Sequence, residues 1–173
     1  MFNAIAMSDP AILVLGGTGA VGSRIVNQLR SSSSKTVLVA SRNGNGSSTA
    51  TDTTIPPHIH RIPFDWHDTD TWTNPFSTPT KITAAYLIAP PSLNAESIMM
   101  QFVDFARRRG VRRFVLQSAS SIEPGGPAMG KVHEYLRELG RRGKVEWAVL
   151  RPTWFQRMFL SLPLVLFWRC LGG

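Results

Sequence analysis

The chain has 173 residues, 43% of them apolar and 17% charged, a balance that excludes a disordered chain and allows one domain with a proper core. One cysteine, Cys170, excludes an internal disulfide and suggests no cysteine-based metal site. The net charge of +8 is carried by groups such as Arg107, Arg108 and Arg109, Arg112 and Arg113, and Arg141, Arg142 and Lys144, which fall at predicted helix ends where cations meet the last carbonyls; with no interleaved aromatics and no DNA-binding motif, no nucleic-acid partner is expected.

Residues 1–10, MFNAIAMSDP, have no basic start and no long apolar run. They read as a short extension rather than a signal peptide, which with the cysteine count points to a cytoplasmic protein. The next stretch organises everything after it. Five apolar residues from Ala11 to Leu15 run into Gly16, Gly17 and Gly19, and Gly22 follows. This predicts a buried parallel strand, a tight turn and a helix over residues 20–30 with Val21, Ile25, Val26 and Leu29 on one face. Glycines at the turn allow angles closed to other residues and a close approach to pyrophosphate, and Gly22 lets the helix lie against the strand. The free N–H groups of the helix start then face an anion. Alone the glycine pattern is a weak sign, and a glycine-rich turn of some other α/β protein would share it; the strand before it and the helix after it favour dinucleotide binding.

Residues 36–40 form a second apolar strand ending at Ser41 and Arg42. In a dinucleotide fold the residue about 20 positions beyond the last glycine meets the adenosine ribose, and here that residue is Arg42. An acidic side chain there would bond the free 2′-hydroxyl of NAD. Arginine instead suits the 2′-phosphate of NADP through its planar fork, the alternative being an ordinary surface arginine. Residues 43–57 are rich in Gly, Ser and Thr and read as a loop. A third strand over 60–64 leads to Asp65, placed either to bond the adenine amino group or to cap the next turn. His58, His60 and His67 have no carboxylate pattern beside them, so no metal site is expected. Trp72 and Phe76 are spaced as core contacts of a short helix.

A fourth strand over 84–89 stops at Pro90 and Pro91, so Ala89 and Pro90 lie at the strand end that faces the ligand crevice of an open α/β sheet. A helix over 96–109 presents Ile98, Phe102, Phe105 and Ala106 inward. The fifth strand, 114–116, delivers Ser118 and Ser120 to the same edge, a glycine-rich crossing over 125–130 follows, and a helix over 131–139 precedes the sixth strand at 147–150. The alternation predicts an α/β fold with a doubly wound parallel sheet, the NAD(P)-binding Rossmann arrangement. The cofactor-binding candidates are Gly16, Gly17, Thr18, Gly19, Ala20, Val21, Gly22, Ser41, Arg42, Asp65, Ala89 and Pro90.

Together GGTGAVG, the ASR end of the second strand, FDW, FVLQSAS, GGPAMGKVH and LRPTWF resemble the atypical, NmrA-like short-chain dehydrogenases. They resemble more closely the fungal ergot-alkaloid enzymes of the festuclavine synthase and agroclavine dehydrogenase type. The likeness runs from Ile12 to Phe155. It implies NADPH as cofactor and a small-molecule substrate, a cyclic iminium made from chanoclavine-I aldehyde and reduced to a clavine alkaloid. Members of that family carry a further C-terminal portion that builds the substrate pocket. The domain expectation is therefore an extension at 1–10, a dinucleotide-binding domain at 11–155 and an atypical tail at 156–173 with the substrate-binding portion missing. The apolar run at 159–168 is shorter than the ~20 residues that span a bilayer, so no membrane partner is expected.

Ordinary short-chain dehydrogenases use a Tyr-x-x-x-Lys pair to protonate a developing alkoxide. Here Met129 and His133 hold that spacing. The substitution disfavours ketone reduction and fits iminium reduction, since hydride added to C=N⁺ yields a neutral amine and needs no acid. The catalytic candidates are Ser118, Ser120 and His133. The serines either contact the reacting centre or cap their loop; His133 either contacts the nicotinamide ribose or faces solvent. Two rival readings stand beside the enzyme: an NmrA-like NADP-sensing regulator, and an inactive truncated product. The oligomeric state is not legible.

Overall fold

In the computed structural model, residues 10–32, 35–42 and 58–153 are described; the expected loop at 43–57, the extension and the tail lie outside them. Six parallel strands make one sheet: β1 (Ala11–Leu15), β2 (Val37–Ser41), β3 (Ile59–Pro63), β4 (Ile82–Leu87), β5 (Arg113–Gln117) and β6 (Glu146–Leu150), in the order β3-β2-β1-β4-β5-β6. Helix α1 (Gly22–Ser32) joins β1 to β2, α2 (Ala95–Arg108) joins β4 to β5, and α3 (Met129–Arg141) joins β5 to β6. Chain growth thus reverses between β1 and β4. Right-handed crossovers in opposite directions must place their helices on opposite faces, and the packing follows that rule.

Side chains alternate across each strand. On one face Leu13, Leu15, Leu38, Ala85, Leu87, Phe114 and Leu116 meet Met99, Phe102, Val103 and Ala106 of α2 and Val132, Leu136 and Leu139 of α3. On the other face Val14, Val37, Val39 and Tyr86 meet Ile25, Val26 and Leu29 of α1. Near β6 this second face thins out, leaving Ala148 and Leu150 exposed. The inward set of α2 differs slightly from expectation: Met99 and Val103 are buried with Phe102 and Ala106, whereas Ile98 and Phe105 are half-buried.

The segment around Trp72 is a 3-10 helix, Thr69–Ser77, where α-helical spacing was expected. Its local chemistry explains the tighter winding. Asp68 caps the start by accepting from the Asp70 N–H at 3.1 Å, the Thr71 and Thr73 hydroxyls donate to the carbonyls of Asp68 and Asp70, and Pro75 lies inside the run. Trp72 is buried as expected, and its indole N–H donates to the Asp65 carbonyl at 3.1 Å. Phe102 sits at the centre of an aromatic group, with Phe64, Trp66 and Trp72 edge-on to it at centroid distances of 5.3, 5.3 and 5.4 Å. Such edge-to-face pairs add about 0.5–1.5 kcal/mol each beyond area burial. This knot fastens the β3–β4 crossover to α2.

Some of the basic residues at helix ends and the start of β5 are ion-paired: Arg107 with Asp104, Arg113 with Glu146, and both Arg141 and Arg142 with Glu138. Among the described residues no helix is long and apolar enough to cross a membrane.

Candidate functional site

The reversal of chain direction opens a crevice at the carboxyl ends of β1 and β4, where open α/β sheets hold ligands. The turn leaving β1 lines it. Gly16 has φ +67, a conformation that side-chain-bearing residues rarely adopt. A Cβ there would touch Ile88 at 3.4 Å, so the residue after β4 packs on the turn and brings Ala89 and Pro90 beside it. Gly17 and Gly22 are needed for space rather than for angle. A Cβ on Gly17 would sit 2.5 Å from Val39 Cγ1 of β2, and one on Gly22 would overlap the Gly16 carbonyl oxygen. The helix therefore starts directly against the turn itself.

Polar groups of this turn are left facing outward. Gly17 N–H donates to the Ala40 carbonyl at 3.3 Å and Gly19 N–H to the Gly16 carbonyl at 3.0 Å. Among the described residues no backbone acceptor meets the N–H groups of Thr18, Ala20, Val21 or Gly22. No acidic residue occupies the first turn of α1, so nothing competes for the positive end of the helix. A cradle of free donors with backbone too close for side chains fits a pyrophosphate.

Ser41 and Arg42 end β2 at the same edge. Arg42 is exposed, while the Ser41 hydroxyl is buried with no partner. The Ser41 carbonyl accepts from the Phe64 N–H at 3.0 Å, tying this edge to the end of β3. Asp65 shows the capping geometry: its Oδ1 accepts from the His67 N–H at 2.9 Å, and its own N–H donates to the Thr71 hydroxyl at 2.9 Å. Pro90 is buried and Ala89 half-buried.

Ser118 and Ser120 follow β5 at this edge. Their N–H groups continue the ladder with β6, Ser118 donating to the Leu150 carbonyl at 2.9 Å and Ser120 to the Pro152 carbonyl at 3.1 Å. The Ser118 hydroxyl is buried and unpartnered, so it does not cap its loop. His133 lies apart from this line. It is 7% exposed on the inner face of α3, its ring 5.4 Å from that of Trp147, and Nδ1 has no partner. The structure thus turns His133 toward β6 instead of solvent, with Met129 buried on the same helix. Burial, then the charges of Arg151 and Arg137, push its pKa below the usual histidine value against the opposing pull of Glu134 and Glu123. These effects disfavour the imidazolium form.

Two residues without an assigned role join this edge. Arg151 donates to the Ser120 carbonyl at 2.8 Å and pairs with Glu123. The LRPTWF motif placed Arg151 at a strand end, but its partners lie far back in sequence. A shallow cavity of about 260 Å³ lined by Phe76, Lys81 and Arg109 sits at the amino end of β4, away from the crevice. No cluster of metal-ligating side chains occurs among the described residues.

Residues 16–158 match the family model described as NAD(P)H-binding. The chain is 41% identical over 157 residues to festuclavine synthase II of Penicillium roqueforti, covering 88% of this chain and 50% of that protein. It is 38% identical over 154 residues to agroclavine dehydrogenase of Claviceps fusiformis, covering 86% and 48%. The chain thus spans about half the length of these relatives. Among solved structures, the triphenylmethane reductase of Citrobacter sp. complexed with NADP(H) superimposes with a TM-score of 0.66 at 18% identity, covering 86% of this chain and 51% of that one. The Escherichia coli quinone oxidoreductase QOR2 complexed with NADPH gives 0.63 at 16% identity, covering 87% and 51%. At such identities the likeness is one of fold, and the fold is the NAD(P)-binding Rossmann arrangement.

Proposed function

This chain belongs to the NAD(P)H-binding family, and from that premise we propose that it is the cofactor-binding part of an NADPH-dependent reductase acting on a cyclic C=N⁺ group of a clavine alkaloid. The cofactor would lie with its pyrophosphate on the N–H groups of Thr18, Ala20, Val21 and Gly22 and its 2′-phosphate at Arg42, with Asp65 and Ala89–Pro90 bordering the adenine and ribose. Bound there, NADPH supplies a hydride.

The observation that carries the reading is the environment of α3. Met129 and His133 hold the spacing of a Tyr-x-x-x-Lys pair on this helix, both are buried, and burial with the charges of Arg151 and Arg137 disfavours the His133 imidazolium. Met129 has no proton to give and the His133 imidazolium is disfavoured, so neither matches a tyrosine as donor to an alkoxide, whereas reduction of an iminium calls for none. A cationic substrate also needs an edge without uncompensated positive charge. Glu123 offsets Arg151, and a neutral imidazole adds no repulsion. Ser118, whose hydroxyl has no protein partner, is free to bond the nicotinamide end or the substrate, with Ser120 beside it. The names of the relatives, festuclavine synthase and agroclavine dehydrogenase, support a clavine as the product class.

The test is consumption of NADPH at 340 nm, a wavelength set by the reduced nicotinamide, with the iminium formed from chanoclavine-I aldehyde and a simple ketone as control. The reading expects turnover of the iminium alone. Turnover of the ketone would overturn the C=N assignment. Tight NADPH binding with no turnover of either would favour a cofactor-sensing regulator.

A further inference from the structure

The loop over residues 118–128, which joins β5 to α3, carries the two serines and is folded back on itself. Ile122 N–H donates to the Ala119 carbonyl at 3.1 Å, Gly126 N–H to the Glu123 carbonyl at 3.0 Å, and Gly125 N–H to the Gly130 carbonyl at 2.8 Å. Gly130 has no room for a Cβ because the Glu123 carbonyl oxygen occupies that space. At the far end Ala128 has φ 51 and ψ −123, a strained conformation for a residue with a side chain. Strain of this kind persists only where the surroundings hold the backbone in place.

What holds it comes from β6. Arg151 lies between Leu150 and Pro152, whose carbonyls receive the Ser118 and Ser120 N–H groups. Its guanidinium reaches back across the loop. Nε donates to the Ala119 carbonyl at 3.5 Å, Nη2 donates to the Ser120 carbonyl at 2.8 Å, and Nη2 also pairs with the Glu123 carboxylate. The Arg151 side chain is 31% exposed and that of Glu123 73%, so the buried part of the contact is to the carbonyls. A planar fork can serve several acceptors at fixed angles, whereas an ammonium is a point donor on a flexible stem.

We propose that Arg151 is a positioning residue whose guanidinium clamps the carbonyls of Ala119 and Ser120 and the Glu123 carboxylate, fixing the 118–123 segment so that Ser118 and Ser120 meet the nicotinamide end of the cofactor. The proposal rests on the cofactor placement given above. It assigns no contact between Arg151 and the cofactor. The clamp acts on the loop, while the glycine turn proposed to hold the phosphates follows β1, with β4 and β5 between it and β6.

The experiment compares the full chain with Arg151→Lys, Arg151→Ala and Glu123→Gln, by amide hydrogen exchange with and without NADPH and by NMR titration of the His133 imidazole. Loss of a charge-assisted fork should speed exchange over 118–128 by roughly tenfold to a hundredfold in both Arg151 variants. NADPH should protect 118–123 in wild type and less in either variant, with cofactor affinity itself changed by less than about threefold. The groups that act on His133 are Arg151, Arg137, Glu134 and Glu123. Removing the Arg151 charge should therefore raise the His133 pKa in Arg151→Ala and leave it near wild type in Arg151→Lys. A lysine variant with faster exchange but unshifted His133 titration is the signature of the fork. Wild-type exchange in Arg151→Lys would overturn the clamp, as would wild-type exchange in Arg151→Ala. Should the alanine variant fail to fold, the lysine and Glu123→Gln variants decide alone; Glu123→Gln keeps the carbonyl bonds and should exchange less than tenfold faster. A wild-type chain that binds no NADPH would overturn the cofactor placement and leave the exchange result standing. Normal NADPH binding with unchanged exchange in the variants overturns the clamp only.

Discussion

Replacing Gly22 by alanine adds a single methyl and separates two roles of glycine. Its backbone is outside the left-handed region, so alanine can adopt it, and the helix would gain about 0.5–1 kcal/mol from the stiffer residue. The methyl, however, would overlap the Gly16 carbonyl oxygen and lie 2.7 Å from Gly17 Cα and 2.9 Å from the Gly16 carbonyl carbon. All three are backbone atoms and cannot rotate away, so helix and turn must part. Overpacking of this kind costs about 1–3 kcal/mol, leaving a net loss of at most about 2.5 kcal/mol, or up to roughly 10 °C in Tm for a domain of this size. The larger effect should fall on cofactor binding, because the turn and the helix start that must part carry the outward-facing N–H groups of Thr18 and Ala20 to Gly22 between them. NADPH affinity should drop about tenfold or more, a loss of at least about 1.4 kcal/mol, measured by nucleotide fluorescence titration alongside thermal melts. Gly19→Ala is the control: its Cβ would lie 3.2 Å from the Gly16 carbonyl oxygen and meet nothing closer, so its effect should be clearly smaller. Wild-type NADPH affinity in a folded Gly22→Ala protein would refute the placement of the pyrophosphate at this turn.

Arg42→Ala should weaken NADPH by roughly tenfold to a hundredfold through loss of charge-assisted phosphate bonds, and change NADH little; equal weakening of both nucleotides at fixed salt would show that Arg42 supports the turn instead. Phe102→Ala should cost about 3–5 kcal/mol in urea unfolding, since the ring is fully buried and three aromatic rings stand edge-on to it; a loss below about 1 kcal/mol would mean that the aromatic knot collapses around the gap. His133 has its folded pKa lowered, so the unfolded chain binds the proton more readily. Its contribution to stability is present above the ordinary histidine pKa of about 6.5 and is lost as pH falls below it. His133→Phe should remove that part of the acid sensitivity, read as a smaller Tm drop between pH 7 and 5, and an unchanged drop would refute the assignment.

How much of this could be read from residue order depends on the range of the interaction. The six strands and three helices were legible because their signal is local periodicity, and the glycine pattern between Leu15 and Ser23 carried its own strand and helix with it; only the element ends moved, by one or two residues. Arg42 was singled out by counting from Gly22, and the structure leaves it exposed just after β2. The 3-10 winding around Trp72 was not legible, since the Asp68 cap, the Thr71 and Thr73 hydroxyl bonds and Pro75 that tighten it leave no mark in the spacing of Trp72 and Phe76. The need for glycine at position 17 comes from Val39, a residue of the neighbouring strand. The inward turn of His133 onto Trp147, the strained Ala128 and the reach of Arg151 to carbonyls 31 and 32 residues earlier likewise depend on which strands become neighbours. Periodicity along one chain segment determines its secondary structure and its buried face. Which distant groups that face then meets is settled by the crossovers that lay β5 and β6 side by side, and only the tertiary structure contains that pairing.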